Sequence, residues 1–152
     1  MSVLSDDDLF ALYPDVMVDH DNIEHYRGLA ARKLLINRCQ HCGRWVYPHR
    51  PLCPQCWSWD VKFTAVSGRG QVHMFTLIHQ SRDPNAPLDA PIPAAAIELE
   101  EQQGLRYLAR ITNCPLDRIY HGMPVRLVWI EAGGAPWPWF EPALAEERAR
   151  HG

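Results

Sequence analysis

Two C-x-x-C pairs, Cys39-Gln40-His41-Cys42 and Cys53-Pro54-Gln55-Cys56, lie ten residues apart in the segment CQHCGRWVYPHRPLCPQC. Few features constrain a chain more. Each pair forms a short turn that lets two thiolates converge on one ion, and Gly43 supplies backbone freedom just after the first turn. Four sulfurs at about 2.3 Å close a tetrahedral zinc shell, with no position left for water, so the spacing predicts a structural site rather than a hydrolytic one. Iron in a rubredoxin-like shell is the rival metal. A module this small cannot bury enough core to stand alone, so its folding and its metal binding are expected to be coupled. Trp45, Tyr47, Leu52, Trp57 and Trp59 are expected to pack around the knuckles and against the rest of the chain. With four thiolates on the metal, His41 and His49 read as exposed loop histidines. The fifth cysteine, Cys114, stands alone before Pro115 and reads as a buried apolar-like thiol.

The 152 residues suffice for one ordinary domain or two small modules, and 47% hydrophobic against 22% charged residues excludes a largely disordered chain. No stretch approaches the roughly 20 apolar residues of a membrane helix, and the opening MSVLSDDDLF is acidic where a secretory signal is basic. A cytoplasmic location follows as an expectation, and in a reducing compartment paired cysteines point to metal rather than disulfides. Charge is distributed unevenly. Residues 1–21 hold six aspartates and no Lys or Arg, whereas residues 22–70 hold eight Lys or Arg against Glu24 and Asp60. A basic middle of this kind suits a polyanion, either nucleic acid or the phosphates of a nucleotide cofactor, unless it is simply a solvated face neutralised by the acidic arm.

Ser5 and Asp8 form a capping-box pattern ahead of Leu9, Phe10 and Leu12, with Pro14 closing a short, loosely attached helix. A second helix is predicted from Asp21 or Asn22 to about Leu34, where Ile23, Tyr26, Leu29, Ala30 and Leu34 make one apolar stripe. Gly28 weakens it by about 1 kcal/mol relative to alanine. Five strands are expected, at residues 61–67, 72–79, 94–100, 105–112 and 125–131, with a long proline-rich loop, SRDPNAPLDAPIP, between the second and third. The fold class is therefore mainly β: N-terminal helices over 1–34, a rubredoxin-like four-cysteine zinc ribbon over 35–60, and a five-stranded Greek-key barrel of the OB type over 61–142. A helix-prone tail occupies 143–152. Trp137, Trp139 and Phe140 fall among prolines after the last expected strand, where they read as anchors for a partner.

Several short patterns occur together in order: Pro48, Arg50, Cys53, Pro54 and Cys56 around the knuckles; Val66 to Gly70, Val72, Phe75 and Thr76; then Gly122 to Arg126. Across about residues 22–142 the chain resembles the zinc-ribbon plus OB-fold family of acyl-CoA-associated proteins, formerly catalogued as a domain of unknown function. Where that family carries a Phe-Trp pair in its helix, this chain has His25-Tyr26, and the acidic residues 1–21 have no counterpart. The resemblance implies a small non-catalytic subunit that binds a thiolase-like enzyme, or alternatively a hot-dog-fold acyl-CoA hydratase, and that this partner enzyme supplies the catalytic groups. It also implies contact with CoA, for which Arg27, Arg32, Lys33, Arg38, Arg44, Arg50 and Arg69 are the candidate collar, and a partner contact at Tyr26 beside the three C-terminal aromatics. Steroid, aromatic and fatty acyl groups all remain open as substrates.

The residues themselves agree with a non-catalytic role. They show no Ser/His/Asp order, no paired carboxylates near a glycine elbow and no P-loop, and His73 and His79 on one strand stand about 20 Å apart. A nucleic-acid-binding ribbon and barrel is the competing function, and a scaffold with no ligand is the third. The calculated pI near 6.2 and the acidic arm weigh against nucleic acid.

Overall fold

The computed structural model describes residues 3–143. It contains helices α1 (Asp6–Leu12) and α2 (Ile23–Ala30), then strands β1 (Leu35–Cys39), β2 (Trp45–Val46), β3 (Val61–Ala65), β4 (Arg69–Ile78), β5 (Ile92–Leu99), β6 (Arg106–Arg110), β7 (Pro124–Ala132) and β8 (Ala135–Pro142), with a single 3-10 turn at Leu116–Arg118. The described residues fall into two compact units, 3–67 with 129–138 and 68–128 with 139–143. Among them, no helix is long and apolar enough to cross a membrane. The helix-prone tail expected beyond Ala143 lies outside the described residues.

In the first unit α1 opens with the expected capping box, Ser5 and Asp8 each bonding the other's backbone N–H. The helix is anchored more firmly than its length suggests. Leu9 is fully buried, and Tyr13 at the C-cap is 1% exposed, donating its hydroxyl to the Pro136 carbonyl at 3.0 Å and meeting Trp137 edge-on. Asp6 of the acidic arm pairs with Arg27 of α2 at 2.6 Å.

Helix α2 stops four residues earlier than its apolar stripe predicts. Arg32 takes a left-handed φ of 56°, Arg32 N–H bonds the Leu29 carbonyl and Lys33 N–H bonds the Gly28 carbonyl, which together make a Schellman stop. Arginine in place of the usual glycine hides that stop from a sequence reading. Gly28, a weak point by propensity, has a packing reason: a Cβ there would lie 2.7 Å from the Leu35 side chain and 2.9 Å from the Lys33 carbonyl oxygen.

Strands β2, β1 and β3 form an antiparallel three-stranded sheet in that order. Val61–Ala65 was expected to open the barrel, but it pairs with β1 along its whole length, from Leu35 opposite Ala65 to Cys39 opposite Val61. The barrel still has five strands, in the order β6-β5-β4-β7-β8. Its fifth strand is β8, in the proline-containing segment that follows the last strand expected from sequence. β8 lies at the end of the sheet order, where proline is tolerated because one side of the strand has no ladder to break. Pro136 and Pro138 alternate with Trp137 and Trp139 along β8, and the Phe140 carbonyl accepts from Thr112 N–H. A parallel bridge between Ile111 and Phe140 brings β6 toward β8 and nearly closes the sheet into an OB-like barrel. Val72, Ile97, Leu99, Met123, Val125 and Phe140 fill its core.

Candidate metal centre and its surroundings

Cys39 ends β1, Cys42 follows in the first knuckle, and Cys53 and Cys56 come from the second. Their four sulfurs lie within 4.8 Å of one another. The Cys39–Cys56 and Cys42–Cys53 separations are both 3.6 Å, close to the edge of about 3.8 Å in a tetrahedron with 2.3 Å metal–sulfur arms. Cys39 and Cys53 are buried and Cys42 is exposed, so the cluster sits at the rim of the unit. The fold thus brings together the four residues that the spacing singled out.

Local backbone donors already favour thiolate. The Cys42 N–H approaches Cys39 Sγ at 3.5 Å, and with the His41 N–H it lowers that thiol to about 6. Burial pushes the Cys53 thiol up, but the N–H groups of Cys56 and Gln55 outweigh it and hold the thiol low. Cys56 accepts from the Ser58 N–H, which lowers it, yet desolvation and the neighbouring sulfurs push it up to about 12. Four adjacent thiols can all ionise only around a cation, and the donor set and its geometry fit a tetrahedral dication.

Beside the cluster the structure corrects two expectations. Trp45 packs at 8% exposure, but Trp57 and Trp59 remain 73% and 72% exposed instead of packing around the knuckles. His41 is exposed as expected, whereas both ring nitrogens of His49 are buried without a hydrogen-bond partner. Its ring stands 4.6 Å from that of His25, 5.1 Å from Phe63 and 5.2 Å from Tyr47. His25 is itself buried, its Nδ1 3.0 Å from the Leu35 carbonyl. Nothing in the knuckle sequence signals this stack, because His25 arrives from α2.

Burial, with the adjacent His25, lowers the His49 imidazole to about 3. Below an ordinary value near 6.5 the unfolded chain therefore binds a proton that the folded chain does not, and stability falls as pH drops through that range. Between pH 6.5 and 5 the loss expected from His49 is about 2 kcal/mol. Chemical denaturation at the two pH values, with metal content checked at each, should show that difference in the wild type and a much flatter response in His49→Phe. An equal acid loss in both proteins would assign the effect elsewhere.

The expected cationic collar is divided. Arg27 pairs with Asp6 and Glu24, Arg32 with Glu131, and Arg69 with Glu100 at 2.6 Å. Lys33, Arg38, Arg44 and Arg50 have no carboxylate partner among the described residues, although Arg38 lies over the Trp45 ring and Arg44 bonds Gln55. Arg69 lines a cavity of about 450 Å³ in the second unit together with Leu99, Glu100, Val125 and Arg126, so the two short patterns around Gly70 and Val125 meet at one place. Arg126 is held there by Glu141 at 2.8 Å.

Of the residues expected at a partner surface, Tyr26 is half-buried against Tyr13 and His25. Trp137 is half-buried on Tyr13, and Trp139 is half-buried under the Arg110 guanidinium. Phe140 is fully buried. It therefore serves the barrel core and not a partner surface. Cys114 is half-buried, and burial is the main cause that pushes its thiol up, away from nucleophile character.

Two family profiles match the chain: the ChsH2 rubredoxin-like zinc ribbon domain over residues 27–61, and the ChsH2 C-terminal OB-fold domain over residues 63–130. A DUF35 domain-containing scaffold protein of Methanocaldococcus jannaschii is 34% identical over 113 residues, which cover 70% of this chain and 75% of that protein. A probable enoyl-CoA hydratase alpha subunit of Thermomonospora curvata is 33% identical over 140 residues, covering 91% of this chain; the chain spans only 43% of that protein's length. Among solved structures, a chain described as the Ltp2-ChsH2(DUF35) aldolase superimposes with a TM-score of 0.75 at 31% identity, over 85% of this chain and 99% of that one.

Proposed function

The chain belongs to the DUF35 family of zinc-ribbon and OB-fold proteins, and from that premise we propose that it is a non-catalytic accessory subunit of an acyl-CoA-processing complex. The observation that carries this reading is the likeness, at 31% identity over nearly the full length of the matched chain, to the ChsH2 component of an aldolase. It favours an aldolase partner, within the thiolase or aldolase chemistry that the resemblance implies. The likeness to a hydratase alpha subunit supports the second reading, a hydratase partner, with the chain corresponding to less than half of that relative.

The ion is zinc, held by Cys39, Cys42, Cys53 and Cys56 in a structural role. Four sulfurs leave no open position for a substrate or an activated water. The chain's own part is to keep a rigid ribbon and barrel, while the reacting groups come from the partner. CoA contact belongs to the same reading: its phosphates suit guanidinium and ammonium groups, and Lys33, Arg38, Arg44 and Arg50 have no carboxylate to neutralise them among the described residues.

The purified chain is expected to show no turnover of short, long or ring-bearing acyl-CoA thioesters, and to form a stable complex when co-expressed with a thiolase-fold subunit from the same genome. Turnover by the chain alone that depends on the metal would overturn the accessory reading. Failure to bind either a thiolase-fold or a hydratase subunit would do the same.

A further inference from the structure

The two knuckles follow the same local backbone path. Gly43 N–H bonds the Cys39 carbonyl and Trp57 N–H bonds the Cys53 carbonyl, both at 3.0 Å. The residue after each C-x-x-C pair is left-handed, with φ at 77° for Gly43 and 63° for Trp57. Glycine enters this region without steric cost, whereas a bulky L side chain is strained there. Trp57 thus occupies a position for which the first knuckle uses glycine. Its side chain gains little internal packing in exchange, since it is 73% exposed, and Trp59 two residues on is 72% exposed. A lone exposed apolar residue needs no explanation, but two large aromatics on one metal-stiffened turn, one of them at a strained position, do.

The charge on the same three-stranded unit points to an occupant, and Arg44 reaches the second knuckle directly by donating to Gln55 at 3.1 Å. Arg38 and Arg44 are exposed cations without a carboxylate partner among the described residues, and Lys62 is exposed 3.8 Å from Asp60, which is the only acidic residue between Leu35 and Lys62. We propose that the second knuckle is the docking edge for the enzyme subunit, with Trp57 and Trp59 entering an apolar pocket on that subunit that is rimmed by carboxylates. This rests on the accessory-subunit reading. Tryptophan is the residue most enriched among interface hot spots, and a turn fixed by metal loses little entropy on docking. A single-stranded nucleic acid stacking on the same aromatics is disfavoured by the chain's net charge of −3.

The test uses the full chain with Trp57→Gly and Trp59→Ala variants, each titrated with the co-purified thiolase-fold subunit and, in parallel, with a hydratase subunit of the same genome. Each variant is expected to keep its metal, Trp57→Gly with an unchanged or higher thermal midpoint, and each to lose about thirtyfold in affinity for the subunit that the wild type binds. Wild-type affinity in both variants would overturn the docking edge and leave the accessory reading standing, whereas a wild type that binds neither subunit would overturn both. Loss of metal or of cooperative unfolding in Trp57→Gly would assign the side chain to the ribbon's own fold instead. A labelled oligo-dT probe that binds the wild type but not Trp57→Gly at physiological salt would replace the protein partner with nucleic acid.

Discussion

Replacing Cys42 with serine is expected to abolish stoichiometric zinc binding and unfold the ribbon. The free energy of a structural zinc site, on the order of 10 kcal/mol, is folding free energy for a module of this size. Cys42 Sγ lies 3.6 Å from Cys53 Sγ, and a serine hydroxyl cannot replace the missing thiolate. Three effects should appear together: zinc well below one equivalent by elemental analysis, low soluble yield, and a red shift in tryptophan emission. The red shift should come chiefly from Trp45, because Trp57 and Trp59 are already exposed in the folded chain. A Cys42→Ser protein with a full equivalent of metal and an unchanged thermal midpoint would rule out the four-cysteine site.

The second large effect is expected at Phe140, whose side chain is fully buried and whose carbonyl accepts from Thr112 N–H. Phe140→Ala should cost about 3–5 kcal/mol, the range for deleting a large aromatic from a packed core. That is a large share of the roughly 5–15 kcal/mol that holds a domain of ordinary stability. Truncation after Gly134 is more drastic, because it removes β8 and with it the Pro136 carbonyl that Tyr13 bonds. Equilibrium denaturation of Phe140→Ala provides the measurement. A midpoint within experimental error of wild type, accompanied by loss of partner binding, would return Phe140 to the interface role that its proline-rich neighbourhood suggested.

The metal cluster is legible in the amino-acid sequence because its information is local. Two residues between the cysteines of each pair, and ten between the pairs, leave the thiolates little choice but to converge. The capping box at Ser5 and the barrel strands β4 to β7 are legible for the same reason, since each depends on neighbours within a few positions of the chain. Four features are not. The stop of α2 at Arg32 uses a left-handed conformation that sequence habits assign to glycine. β3 has a strand pattern suited to either sheet, and only pairing with β1 places it in the three-stranded one. The prolines of β8 argue against a strand until its place at the end of the sheet order makes them harmless. His49 looks like a loop histidine until His25, Tyr47 and Phe63 enclose its ring.

By itself, then, the sequence determined the chemistry of the metal centre, the mainly β class, and the basic segment that suits a phosphate-bearing ligand. The tertiary structure decided which aromatics are core and which are surface. Phe140 and Trp57 are both aromatics beside turn-forming residues, and no local pattern separates a side chain that is fully buried from one that is 73% exposed. Burial depends on what other segments bring to the same place: Thr112 and Ile111 come to Phe140 from about thirty residues away, while no comparable segment covers the second knuckle among the described residues. Spacing along the chain fixes which groups can share an ion, because a turn of four residues has few conformations. Exposure is set by long-range packing, which a local pattern does not encode.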